Sequence, residues 1–221
     1  PEGVREYAFK HQILHQVIYD TVLKRMRRDC HARTAAWLAG LTGARANDFL
    51  SATAVHFEQA GDDANACEFY ARAAEHAAAR YAHEGAMGYV ARALALIGND
   101  THPDNHMLRW RLLDVRERAL DLQGRRTEQK ADIDALQQLA DTLDDDRRRG
   151  VAAWRRSDIA LRMADYRTME SAARHAIAFA ERAGDEALGL LAQVRLALAL
   201  CLLGDASAGK ELALEGLSAA R

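Results

Sequence analysis

The chain has 221 residues, of which 49% are hydrophobic but only 6% aromatic, so alanine and leucine carry most of its apolar content. Thirty-two acidic residues against 30 basic ones leave a net charge of -2, which excludes a globally basic nucleic-acid surface or a charged membrane-binding face. Two prolines and sparse β-branched residues exclude a β-rich fold, and three distant cysteines without a CxxC pair exclude a disulfide framework.

Cys30, Cys67 and Cys201 are accordingly read as small core residues of a reducing compartment. The most apolar stretch, Leu188–Leu203, is interrupted by Gln193 and Arg195, so no membrane span is expected and the chain is read as cytoplasmic. It begins at Pro1 and is expected to be a piece of a longer protein.

Taken in order, Glu6–Lys10 alternates polar and aromatic residues as a short half-buried strand would. A helix follows with Ile13, Leu14, Val17, Ile18 and Val22 on one side. The next helix, 25–41, carries a stripe of Met26, Cys30, Thr34, Trp37, Leu38 and Leu41, with Lys24, Arg25, Arg27 and Arg28 mostly off it. The glycines at 40 and 43 end this part, which places one unit at 1–44 and another at 45–221.

From Asn47-Asp48, read as an N-cap, the pattern becomes helix–turn–helix. Expected helices cover 49–60, 64–80, 84–97, 105–123, 127–143, 147–164, 168–183, 186–203 and 207–220. Gly61 stops the first and Asp62 caps the second, while Pro103 suits the first turn of the helix that follows it. The Asp144–Arg149 block crosses a turn, ending one helix and starting the next with solvated charge.

A shift of 40 residues superimposes these elements. Gly204 falls on Ala164 and Gly124, Leu200 on Ala160 and Leu120, and Ala213 on Ala173 and Ile133. A repeat of this length made of two short helices must bury its apolar faces on its neighbours. The expected fold is all-α: a right-handed α-solenoid of antiparallel helix hairpins. Helix 188–203 is apolar nearly all round, with Leu188, Leu190, Leu191, Val194, Leu196, Leu198, Leu200, Leu202 and Leu203. It is expected inside an array, buried on more than one side, with the array continuing or this end self-associating.

The segment EFYARAAEHAAARYAHEGAMGYVARALAL resembles a tetratricopeptide repeat, with Phe69/Tyr70, Ala74 and Ala77 on its first helix and Ala86, Val90 and Ala93 on its second. The preceding VHFEQAGD, Val55–Asp62, resembles the lead-in helix found before such repeats in bacterial signalling ATPases. Upstream, Phe9-Lys10-His11, Val17, Tyr19, Leu23, the arginine cluster, His31 and Ala35/Leu38 resemble the junction after a winged-helix region in those proteins. The resemblance implies the C-terminal repeat region of an AAA or STAND-type ATPase, of the LuxR-type transcriptional regulators or the ATPase-linked nucleotide cyclases. Arg116, Glu117 and Arg156 depart from it, since the repeat prefers small or apolar residues there.

Several patterns could carry chemistry. Gly204–Lys210 contains the GxxxxGK of a phosphate loop, but Glu211 follows instead of Ser or Thr and a helix precedes instead of a strand, so an inter-helix turn is expected. His11 and His15 are spaced as zinc ligands, yet Gln12 stands where the general base of HExxH belongs and no third ligand is suggested; His102 and His106 straddle a helix start. The Lys24–Arg28 run is a solvated face or a contact to an upstream ATPase domain. No nucleophile arrangement and no cofactor or metal pattern is recognisable.

The remaining candidate is the concave surface. The repeat register points Arg111, Asp114, Arg118 and Asp121 of one inner helix, and Trp154, Asp158 and Arg162 of the next, into a groove. A charged row beside a tryptophan suits peptide binding, charge setting register and the indole supplying desolvated area. The plainer alternative is solvated charge with Trp154 packed between helices.

The expected function is a non-enzymatic interaction or sensor module that binds a protein, peptide or effector and biases an upstream ATPase domain of the same chain. Two alternatives remain: a piece of a nucleotide cyclase or ATPase in which the repeats only regulate or oligomerise the enzyme, and DNA binding through residues 1–44.

Overall fold

The computed structural model describes residues 11–41, 44–98 and 102–219. Its architecture follows from its turns. Residues with positive φ recur at Gly124, Asp144, Ala164, Gly184 and Gly204, 20 residues apart, each just past a helix end. At the last four of these turns the next residue is an aspartate that caps the following helix. Asp145, Asp165, Asp185 and Asp205 accept from the backbone N–H of Arg148, Thr168, Leu188 and Ala208 at 2.9–3.1 Å. A left-handed residue followed by an N-capping carboxylate reverses the chain in two residues. Gly61 and Asp62 form the same device earlier, with Asp62 accepting from Asn65 N–H at 3.1 Å.

The helices are α1 (Gln12–Thr21), α2 (Lys24–Ala39), α3 (Leu50–Ala60), α4 (Asp63–Ala79), α5 (His83–Ile97) and α6 (Pro103–Gln123), then α7 (Arg126–Thr142), α8 (Asp146–Arg162), α9 (Tyr166–Ala183), α10 (Glu186–Leu202) and α11 (Ala206–Ala219). From α2 onward each packs on the helix that follows it. In addition α4 touches α6 and α8 touches α10, so alternate helices stack into an inner row. The described residues form an all-α solenoid of antiparallel hairpins. Among the described residues no helix is long and apolar enough to cross a membrane.

Alanine makes the stacking close. Ala54, Ala66, Ala74, Ala86 and Ala93 are fully buried around Val90 and Leu112 in the first core. Further along, Ala153, Ala176 and Ala192 meet from α8, α9 and α10, and Ala160, Met169 and Ala199 meet one turn pair away. The cluster between them, around Trp110, Leu113 and Leu136, is built from larger side chains.

Several expectations change in the structure. The expected strand at 6–10 lies outside the described residues. The segment around Asn47-Asp48 is a short 3-10 turn, Ala44–Phe49, rather than a cap, and α3 begins at Leu50 with no side-chain cap. The buried face of α2 is also rotated from the expected stripe: Ala35 and Leu38 are buried, whereas Met26, Cys30 and Trp37 are exposed. The reason is that α3 and α1 reach α2 through His31, which bonds both His56 and Tyr19, and this turns the neighbouring face outward.

Of the three cysteines only Cys67 is a core residue, its thiol pushed up to about 11 by burial; Cys30 and Cys201 are exposed. Helix α10 buries Leu188, Ala192, Leu196, Ala197 and Ala199 and leaves Leu191, Val194, Leu198 and Leu202 open. The Asp144–Arg149 block does more than solvate a turn. Arg149 bridges Asp141, Asp144 and Asp146, and Asp146 also accepts from Arg182 of α9 at 2.8 Å.

Candidate functional site

The inner row of α4, α6, α8 and α10 exposes one polar face, shaped by two adjoining hollows that share Arg118 and Leu122. The larger, about 770 Å³, is lined by Glu75, Tyr81, Trp110, Arg111, Asp114 and Arg148 among others. The smaller, about 390 Å³, is lined by Asp121, Trp154, Asp158, Arg162 and Arg195. All seven residues selected from the repeat register therefore lie on this one surface. Arg111 and Asp114 face the first hollow, Asp121, Trp154, Asp158 and Arg162 the second, and Arg118 both.

The charges form a ladder across the seams between inner helices. Arg111 of α6 donates to Glu75 of α4 at 2.7 Å and to Glu68 at 2.6 Å. Arg155 of α8 bonds Asp114 and donates to Glu117 of α6 at 2.8 Å. Arg162 of α8 reaches Asp121 of α6 at 3.1 Å, and Arg195 of α10 pairs with Asp158 of α8. At every seam the carboxylate stands on the earlier helix and the guanidinium on the later one.

The ladder has a fixed floor and an exchangeable rim. Glu117 is buried, and Gln129 donates to its other oxygen at 2.7 Å. Burial holds the Glu117 carboxyl above the usual range, only partly offset by the Arg155 charge and the Gln129 bond. The hydrogen bond that Arg111 donates to Glu75 raises its pKa, against the opposing effect of burial. Arg118, by contrast, is 66% exposed, so its pair with Asp114 contributes about 1 kcal/mol or less and can be traded for a ligand group. Arg162 is similarly open.

Aromatic rings flank these charges. Trp110 is buried, with the Arg148 guanidinium 5.6 Å from its ring centroid. Trp154 is half-buried against the Ala153 cluster and keeps an edge in the second hollow. The face offers a wet, preorganised set of donors and acceptors beside two indoles, which suits recognition by contact.

Glu117, Trp110, Arg155 and Arg195 were not among the residues that the repeat register selected for the groove. The 40-residue spacing of Arg155 and Arg195 was the available signal, since each bonds a carboxylate of the preceding inner helix. The charges that departed from the repeat pattern are compensated: Arg116 bonds Asp132 of α7 at 2.5 and 2.8 Å, and Arg156 pairs with Asp134 at 2.8 Å.

The other candidates fall elsewhere. Gly204–Lys210 runs from the α10/α11 turn into the first turns of α11, and Asp205 caps the N–H of Ala208, placing a carboxylate where a phosphate would sit. His11 is exposed at the start of α1, and His102 and His106 lie at the start of α6. Among the described residues no cluster of three or more His, Cys, Asp or Glu could hold a metal ion. A histidine pair that spacing did not suggest is present instead: His31 Nδ1 and His56 Nδ1 lie 2.8 Å apart, and Tyr19 Oη lies 2.9 Å from His31 Nε2.

No protein-family model matches the chain, and no curated protein matches it. Among solved structures it is similar to the apo form of RapI, at 8% sequence identity and a TM-score of 0.69. That match covers 93% of this chain and 57% of the RapI chain, so the chain spans little more than half of that structure. At this identity the likeness shows the fold alone.

Proposed function

We propose that the array is a non-catalytic interaction module of a larger bacterial, cytoplasmic, ATP-dependent signalling or transcriptional regulator, and that it takes a protein, peptide or effector on its inner face. The observation that carries this reading is the ladder of Arg155–Glu117 beneath Arg118, Arg162 and Trp154. Its lower pairs are locked and hold the surface rigid, while the upper ones exchange partners at little cost. A ligand engages Arg118 and Arg162 for register and covers Trp154 for desolvated contact. Binding there favours one curvature of the array and so biases an upstream ATPase domain between resting and active states.

The other end supports the same placement. Ile13, Leu14 and Val17 of α1 and Met26 and Trp37 of α2 are exposed, so α1 and α2 each carry open apolar surface. A surface of this kind suits a contact with a preceding domain. In this reading residues 1–44 are the connecting unit and 45–221 the binding unit.

The test is selection of ligands from a random peptide library on the intact chain, followed by binding to Trp154→Ala and Arg118→Glu. Loss of binding by both, with unchanged far-UV circular dichroism, supports the groove. Undiminished binding by both removes it.

A further inference from the structure

The open arginines of the inner face are far more accessible than the carboxylates they pair with. Arg118 is 66% exposed against 17% for Asp114, and Arg147 is 74% exposed against 17% for Asp185. Arg162 is 43% exposed against 23% for Asp121. Each of these carboxylates also has a second partner. Asp114 bonds Arg155, Asp121 holds Arg126 at 2.5 Å, and Asp185 caps the N–H of Leu188 at 3.1 Å. A guanidinium can therefore leave its carboxylate for a ligand without stranding a charge. The reverse exchange is closed, because the carboxylates are shielded and doubly held.

Arg147 lines the first hollow, Arg162 the second, and Arg118 both. At the α4 edge the polarity inverts, since Glu68 and Glu75 are more open than the Arg111 that joins them. The face thus presents displaceable cations along α6 and α8, bordered by carboxylates on α4. The first hollow adds apolar contact, because Tyr81, Met107 and Leu122 line it and are exposed. Tyr81 also holds φ 61° in the turn between α4 and α5, a left-handed conformation that is unfavourable for a tyrosine. Its ring makes an edge contact with His83 and is 83% exposed, so burial within the chain does not offset that strain.

We infer that the inner face takes an acidic peptide. Its carboxylates meet Arg147, Arg118 and Arg162, and an aliphatic or aromatic side chain enters the first hollow beside Tyr81 and Leu122. This rests on the reading of the inner face as the binding surface and adds the chemistry of the ligand. Arg147 and Arg162 stand at the two ends of α8, about 22 Å apart along the helix axis. An extended peptide covers that span with about seven residues. A nucleic-acid strand carries charge at every nucleotide and would also meet the Glu68 and Glu75 border, whereas a peptide can confine its acids to the arginine row.

The experiment is selection from a random peptide library on the intact chain, with the selected peptides synthesised and measured by calorimetry. The expected binders carry net negative charge and an aliphatic or aromatic residue. Raising sodium chloride from about 50 to about 500 mM is expected to weaken them by about tenfold or more. Arg147→Glu is expected to weaken them by about tenfold or more and Arg147→Gln by less, with unchanged far-UV circular dichroism. Neutral or basic peptides that lose binding on Trp154→Ala overturn the acidic ligand and leave the inner-face reading standing, as do acidic ones that Arg147→Glu leaves unaffected. Peptides indifferent to Trp154→Ala, Arg118→Glu and Arg147→Glu, or a library that yields no binder, remove both. Tighter binding of an oligouridine than of the selected peptides replaces the peptide by RNA and also overturns the inference.

Discussion

Arg155 on α8 donates to Glu117 on α6 at 2.8 Å, with both side chains nearly closed to solvent. Removing one partner strands the other charge in the interior. Arg155→Met is expected to destabilise the chain by about 3–5 kcal/mol, and the double variant Arg155→Met with Glu117→Leu by clearly less than the two singles combined. Urea unfolding of the three variants measures the coupling; strict additivity would show that the pair is not energetically linked.

The His31–His56 bond makes the α2/α3 junction sensitive to acid. Burial and the Arg27 charge lower His31 from its ordinary 6.5, and burial and His31 lower His56. The folded chain thus holds fewer protons on these rings than the unfolded chain. Their contribution is present above the unfolded value and is lost as pH falls below about 6.5. Asp145, Asp165 and Asp185 also lose stabilisation on acidification, but in the carboxylate range, and Glu117, raised by burial, acts in the opposite sense. Lowering the pH from about 7.5 to 5.5 is expected to lower Tm, and His56→Phe to flatten that slope. An unchanged slope in the variant would assign the dependence to other groups.

Ala164 occupies a left-handed turn at φ 56° where the equivalent turns at 124 and 204 use glycine. Its Cβ costs about 1 kcal/mol in that conformation. Ala164→Gly is expected to raise stability by about 0.5 kcal/mol, since glycine also loosens the unfolded chain. The same change at Ala178, exposed in the middle of α9, is expected to lower stability by about 1 kcal/mol. Opposite signs in thermal unfolding would separate turn strain from helix propensity.

Gly209 lies where α11 crosses α10. A Cβ there would sit 2.7 Å from the Ala197 carbonyl oxygen and 3.3 Å from the Cys201 nitrogen, both backbone atoms that cannot swing away. Gly209→Ala is expected to cost about 1–3 kcal/mol and to raise hydrogen exchange across α11 first. The glycine of the GxxxxGK pattern is thus a packing device, and unchanged stability of the alanine variant would sink that assignment.

Much of this molecule was legible along the chain, because its turns are local events. A left-handed residue and then a capping aspartate, every 20 residues, mark where each helix from α8 to α11 begins whatever lies nearby. The 40-residue register likewise placed Arg111, Asp114, Arg118, Asp121, Trp154, Asp158 and Arg162 on one face. The roles of Glu117 and Arg155 were not legible, since a charge looks solvated until its partner is known, and here that partner is 38 residues away. Nor was the buried face of α2, where Met26, Cys30 and Trp37 keep helical spacing and yet face outward. Periodicity tells that a helix has an apolar side. Which side is buried depends on what packs against it, and for α2 and α10 only the tertiary structure supplies that neighbour.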